Sequence, residues 1–420
     1  MNKIREIFNN SIPEDIRYNF KCHVWCMILT GLFCGCYANY YGVIAREHFH
    51  AGAFWIGLIG SACYITGLGG FWIASLATKG KEHIWCKNIR MISSLCLFGA
   101  AFVPNTYGKI FCLSCALLHI VAAYGPLENT VYGYIYPLEH RSRMLGYAKM
   151  FLAIFGTGMT FAMGFLIDVT YFGIQMWRLV FITGALYFAF SGIFLGKMKL
   201  PNIKVETENS LKYMLTSIKL ITEDRFNIIL IISGIFFTIA LTVFNTLYPM
   251  YQVDVMGIGG KEVGYIALVS SVINIIGFPI LGTFYGKINP VKAWIFPCIL
   301  MLIYPAFFLL TGTFWQSLLV GMIFWAGFNV TNEICWINLI IYLGGKDKIK
   351  EYQGLYGLVM GARGIIGLFV SAFIINHCEK LPFDSINNYR IAFLIGMACV
   401  IISLVIYLPM IKVFYKKETD

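Results

Sequence analysis

Twelve apolar runs, each about the length an α-helix needs to cross a hydrocarbon core of roughly 30 Å, dominate the sequence. They limit the fold severely, because in lipid every backbone N–H and C=O must be satisfied inside its own segment. The runs predict spans near 20–44, 54–77, 90–106, 109–136, 146–168, 174–196, 226–251, 263–285, 291–312, 315–342, 354–377 and 389–412. Composition agrees: 59% of the 420 residues are hydrophobic and 13% charged, against about 25% charged in soluble domains. The expected fold class is an all-α integral membrane protein of twelve transmembrane helices, arranged as two six-helix bundles. The first residues are polar and mixed in charge, with no cleavable signal pattern.

The longest polar interruption falls near the middle of the chain and divides it into three parts. These are an N-terminal six-helix unit over 1–196, a linker over 197–225 and a C-terminal unit over 226–420. Within the linker Leu211, Leu215 and Ile218 share one helical face while Lys212 and Lys219 point away. That pattern predicts an amphipathic helix on the membrane surface.

Charge orients the bundle. With the N-terminus inside, 25 of the 32 basic residues fall in cytoplasmic segments and six in the opposite loops, leaving Arg363 inside a span. The positive-inside rule then places both termini in the cytoplasm of a cell (inner) membrane. The +11 net charge reads as topology and attraction to anionic headgroups. Nucleic acid would need a contiguous basic patch, and none is present. The 13 cysteines are odd in number and nearly all within apolar runs, which argues against a disulfide framework. "CLSC" (112–115) and "CGC" (34–36) read as small packing residues, so neither metal nor cofactor is expected.

The two units repeat each other. "MWRLVFITG" (176–184) returns as "YRIAFLIG" (389–396), "GYAKMFLAIFGTG" (146–158) as "GLYGLVMGARGII" (354–366), and "GLIGSACYITGLGGF" (57–71) as "GYIALVSSVINIIGF" (264–278). Duplicated units of this kind build transporters with a site near the midplane, opened alternately to either side. Six plus six spans, a charged central loop, a Trp-Arg opening of span six and the basic "HRSRMLG" before span five together resemble the major facilitator superfamily. Its pattern after span two, Gly-x-x-x-Asp-Arg-x-Gly-Arg, is eroded to "ASLATKGK" and "GTFYGKINPVK", which keep Gly282 and Lys287 but not the aspartate. The arginine common in span four corresponds to His119. Span five lacks the glycine-proline pattern of antiporters, which favours uptake.

The resemblance implies that spans one, four, seven and ten line the cavity. Helical spacing independently gives each of these a polar and aromatic stripe. Span four offers Tyr124, Glu128 and Tyr132; span ten Trp325, Asn329, Glu333 and Trp336. Span seven offers Thr238, Thr242, Asn245 and Tyr248; span one Tyr37, Asn39 and Tyr41. Rings beside amides and acids suit a small polar organic solute, though Asn and Thr also join helices without touching any ligand.

Glu128 is the acid that most needs a reason, since a charge at bilayer depth costs roughly 2.5–3.5 kcal/mol. Glu333 occupies the related helix of the second unit. Carboxylates in low dielectric can take up and release protons, and proton-coupled sugar permeases of the superfamily likewise use acids in spans four and ten. Arg363 in span eleven lies at the depth of Glu333 and pairs with it or holds an anionic solute, while Lys149 at the entry of span five couples or snorkels. The expected function is secondary active transport of a small polar solute by alternating access, as proton symport into the cell, with the single chain as the unit. An organic-anion carrier binding through Arg363 and a transporter-like sensor remain as alternatives. No nucleophile–base or metal-ligand set converges at one depth, and His48 and His50 sit in a loop, so an enzyme is not expected.

Overall fold

The computed structural model describes residues 14–77, 80–136, 138–200, 219, 225–285, 288–310, 314–344 and 349–419. Among these residues fifteen α-helices build the twelve spans. Span one is α1 (Arg17–Tyr37) followed by the short α2 (Tyr41–Glu47). Spans two and three are α3 (Ala53–Leu76) and α4 (Glu82–Ala100). Span four is broken into α5 (Gly108–Val121) and α6 (Gly125–Ile135). Spans five and six are α7 (Leu138–Gly164) and α8 (Met176–Gly196), joined through a two-stranded hairpin, Thr170–Tyr171 against Ile174–Gln175. The second bundle runs through α9 (Arg225–Asp254), α10 (Gly260–Tyr285), and α11 and α12 (Pro290–Ala293, Ile295–Leu310). It ends with α13 (Phe314–Gly344), α14 (Ile349–Cys378) and α15 (Ser385–Thr419). The expected surface helix around Leu211, Leu215 and Ile218 lies outside the described residues.

Two boundaries differ most from the sequence expectation. Span three begins at Glu82, not near 90, and therefore contains Lys87 and Arg90. Arg90 thus moves from the cytoplasmic tally into a span, and Arg363 is not the sole arginine within one. Span five begins at Leu138, so the basic "HRSR" is not a loop but the first turns of α7. The break in span four has a local cause. Pro126 at the second position of α6 has no N–H to continue the α5 ladder, and the chain turns through Ala122–Tyr124 before restarting.

Helices of opposite bundles meet most extensively in two pairs, α3 with α14 and α7 with α10, and α9 also touches α2 and α3. Glycines set both approaches. A Cβ at Gly67 would lie 2.5 Å from the Gly357 carbonyl, and one at Gly164 2.8 Å from that of Gly260, so these backbones touch only because the side chains are absent. The linker leaves from one face of the bundle; the opposite, far face is closed between the bundles. There Arg46 grips Asp254 at 2.6 Å and stands 3.9 Å from Glu379, Tyr389 also bonds Asp254, and Asp168 accepts the Gly260 N–H at 2.5 Å.

Candidate functional site

The break in span four places Glu128 in the first turn of α6, where the unpaired N–H groups and helix dipole favour a negative charge. Its partner is Arg90 of α4, with Nη2 2.7 Å from Oε1; Arg90 is 1% exposed on its side chain and Glu128 14%. Tyr132, one turn on, donates to the same oxygen at 2.7 Å. The guanidinium is caged: Nη1 donates to Thr30 Oγ1 and Ser191 Oγ at 2.8 Å each, and the plane lies 4.5 Å from the Tyr124 ring centre. Against this cluster His23 of α1 lies tilted on Tyr132, with ring centres 4.2 Å apart, and shares a 2.9 Å hydrogen bond with Tyr136. Four spans of one bundle converge here, bringing Glu128, Tyr124 and Tyr132 together.

Sequence reasoning missed Arg90 and His23. For Arg90 a signal existed: Cys86, Ile89, Arg90, Ser93 and Leu97 recur at helical spacing, and all five are buried. With Lys87 and Glu82 nearby, the segment is too polar to register as an apolar run.

The second centre spans the bundles. Lys149 of α7 and Glu333 of α13 form an ion pair in which the side chains are 55% and 41% exposed. Both residues sit well inside their helices, so this exposure marks a space between the bundles. Asn329, one turn from Glu333, is also exposed. The expected Arg363–Glu333 pair does not form. They point in different directions: Glu333 faces the opposite bundle while Arg363 packs back onto α9. There Arg363 is 3% exposed, donates to the Leu230 carbonyl at 3.4 Å, and presses on Gly234. No carboxylate reaches it among the described residues.

Other stripe residues divide between cavity and core. Asn39 is exposed at the span-one kink and donates to Thr160 Oγ1 at 3.3 Å, and Asn245 stands beside Gly60 of the other bundle. Trp336 packs between Trp294 and Tyr356, at 5.2 and 5.3 Å, which is core packing. Thr238 and Thr242 bond back to carbonyls of their own helix. Of Trp325 the described residues give only the backbone. No three potential metal donors converge among the described residues.

Solved structures share this architecture. A point variant of the nucleoside transporter NupG superposes with a TM-score of 0.71 at 16% identity, covering 93% of this chain and 99% of that one. A bacterial homologue of the human lysosomal transporter Spinster, inward-facing and unoccupied, gives 0.67 at 13%, covering 96% and 98%. A D-xylose–proton symporter gives 0.62 at 13%, covering 93% and 97%. These identities speak to the fold alone. No curated protein matches the chain significantly. The model of the Major Facilitator Superfamily matches residues 24–368, most of the chain and both bundles, and with twelve spans in two bundles facing each other across an ion pair, the chain belongs to that superfamily of transporters.

Proposed function

We propose that this transporter takes up a small polar organic solute by proton symport, with Glu128 and Glu333 as the proton-exchanging groups. The observation that carries the reading is that each acid is held by a base of a neighbouring helix, Arg90 or Lys149, inside the membrane span. A carboxylate paired in this way can be protonated only when its base is released or finds another anion. Proton binding is thereby tied to helix movement. Names of structural neighbours that include proton symporters of D-xylose and of fucose agree with this reading. The moving halves are residues 1–196 and 226–420, joined by the 197–225 linker, with both termini and the linker on the cytoplasmic side. The space around Lys149, Asn329 and Glu333 then faces the cytoplasm.

The test is uptake of a solute panel into proteoliposomes with and without an imposed pH gradient. Gradient-driven accumulation of any solute supports symport. Flux that ignores the gradient removes proton coupling, and binding without flux favours a sensor. One observation favours a second reading: Arg363 is buried with a carbonyl and, among the described residues, no acid beside it. A guanidinium so placed is suited to an anionic solute, and saturable uptake of organic anions that is lost in Arg363→Lys would support it.

A further inference from the structure

We propose that Cys63 of α3 and His119 of α5 form a binding site for a soft d10 cation, such as Zn²⁺ or Cd²⁺, in the space between the bundles. All 13 cysteines are free, and Cys63 is the exposed one. It sits mid-helix, so its direction decides what it is exposed to. On one side α3 gives Thr66 and Gly69 to α5: Thr66 donates to the His119 carbonyl at 2.8 Å, and a Cβ on Gly69 would meet Ala123 at 3.2 Å. On the other side Gly57, Gly60 and Gly67 face α9 and α14 of the opposite bundle. Helical spacing puts Cys63 between these two faces, away from lipid. One and two turns nearer the far face, Ile59 and Ile56 are sealed at 0% and 1% exposure. Cys63 therefore stands at the roof of the solvent-accessible space.

The Cys63 thiol and His119 Nδ1 share a hydrogen bond, with Sγ 3.4 Å from the nitrogen, and a metal can replace the shared proton without moving either donor far. A tetrahedral zinc with Zn–S of about 2.3 Å and Zn–N of about 2.0–2.1 Å holds its sulfur and nitrogen roughly 3.5 Å apart. The other ring nitrogen, Nε2, is buried without a hydrogen-bond partner among the described residues, so the tautomer with its proton there leaves the Nδ1 lone pair facing Cys63, able to ligate once the thiol proton is lost. Two protein donors leave two positions of the tetrahedron open toward the space between the bundles, for water or solute. The ion displaces the thiol proton to solvent as the sulfur–metal bond forms. Thiolate and imidazole select Zn²⁺ or Cd²⁺ over the hard Mg²⁺.

The test needs no transported solute. Purified full-length protein is treated with N-ethylmaleimide, and alkylation of Cys63 is followed by peptide mass spectrometry with Zn²⁺, with Mg²⁺ and with neither. Zinc at about ten times its dissociation constant slows Cys63 alkylation about tenfold, and Mg²⁺ leaves it unchanged. In His119→Gln, Cys63 reacts at its basal rate and zinc protection at the same concentration is lost. Equal protection in His119→Gln, equal protection by Mg²⁺, or no protection by zinc overturns the site. Should His119→Gln fail to fold, calorimetric zinc binding to Cys63→Ser against the parent makes the same comparison, and undiminished binding overturns it.

Discussion

The pair inside the N-terminal bundle and the pair between the bundles use the same chemistry in opposite settings. Arg90–Glu128 is enclosed, with two hydroxyls and a ring completing the guanidinium and Tyr132 completing the carboxylate. Lys149–Glu333 is half-exposed, and among the described residues neither charged end makes another hydrogen bond. An enclosed pair within one rigid body survives rocking of the bundles, whereas a pair drawn from both must break whenever they separate. On the proposed mechanism Glu128 therefore exchanges its proton when Arg90 finds another anion, and Glu333 when rocking of the bundles draws Lys149 away. Arg363 makes a third case: as buried as Arg90, but with a carbonyl where Arg90 has an acid. The bundles repeat their helices, not their charges.

The enclosed pair carries the largest expected effect. Arg90→Ala leaves Glu128 uncompensated and costs about 3–5 kcal/mol, read as a fall in melting temperature. Adding Glu128→Gln recovers part of the loss, since an amide needs no counter-charge. A double variant no more stable than Arg90→Ala alone would show that the packing of the arginine, not its charge, matters.

Next comes the contact that positions Arg363. A Cβ on Gly234 would sit 2.0 Å from its Nη1, so Gly234→Ala forces the side chain aside and costs about 1–3 kcal/mol. Arg363→Ala makes room, and the same glycine substitution becomes nearly neutral in that background. Equal costs in both backgrounds would mean that the guanidinium does not rest on Gly234.

How much of this was legible depends on whether a local rule governed it. The twelve runs were, because lipid leaves a spanning segment no other way to satisfy its backbone. Glu128 was visible as a lone acid between apolar turns. Arg90 was not, because Lys87 and Glu82 lower the hydropathy of the same helix; only the buried stripe through Cys86, Ser93 and Leu97 betrays it. Lys149 looked shallow because span five seemed to begin at Gly146. With α7 starting at Leu138 it is a mid-helix residue able to reach α13. The partner of Glu333 was beyond sequence spacing altogether, since Arg363 points in a different direction. Trp336 and Thr238 fell to the core because aromatic and hydroxyl stripes serve packing as readily as binding.

The exposed pair predicts a small stability effect and a large change in coupling. Lys149→Ala and Glu333→Gln each alter stability by less than about 1 kcal/mol, as for other half-exposed pairs. If Glu333 exchanges the proton, Glu333→Gln loses concentrative uptake yet keeps exchange of internal for external solute. Full accumulation in this variant would reduce the pair to a tether between the bundles.

The smallest effect separates the far face from both pairs. Asp168 accepts the Gly260 N–H across the bundle boundary, with Glu262, Lys261 and His48 near it, and burial raises its pKa above the ordinary carboxylate value. Burial is the largest cause and outweighs the backbone N–H groups of Gly260 and Lys261, which lower the value, so the closed far face holds the proton more tightly than one that opens Asp168 to water. By linkage, this contribution to closure is fully present below the ordinary pKa and is lost as pH rises through the raised one. Acidifying the far side through the carboxylate range should therefore shift the bundles modestly toward closure. Spin labels at positions 172 and 383, both exposed far-face loop sites on opposite bundles, report the separation by electron paramagnetic resonance. The distance distribution should move to shorter values on acidification in the parent and stay fixed in Asp168→Asn, where the amide oxygen still accepts from Gly260 but does not titrate. An identical shift in both proteins would assign the pH dependence to other groups and leave Asp168 as a cap of α10.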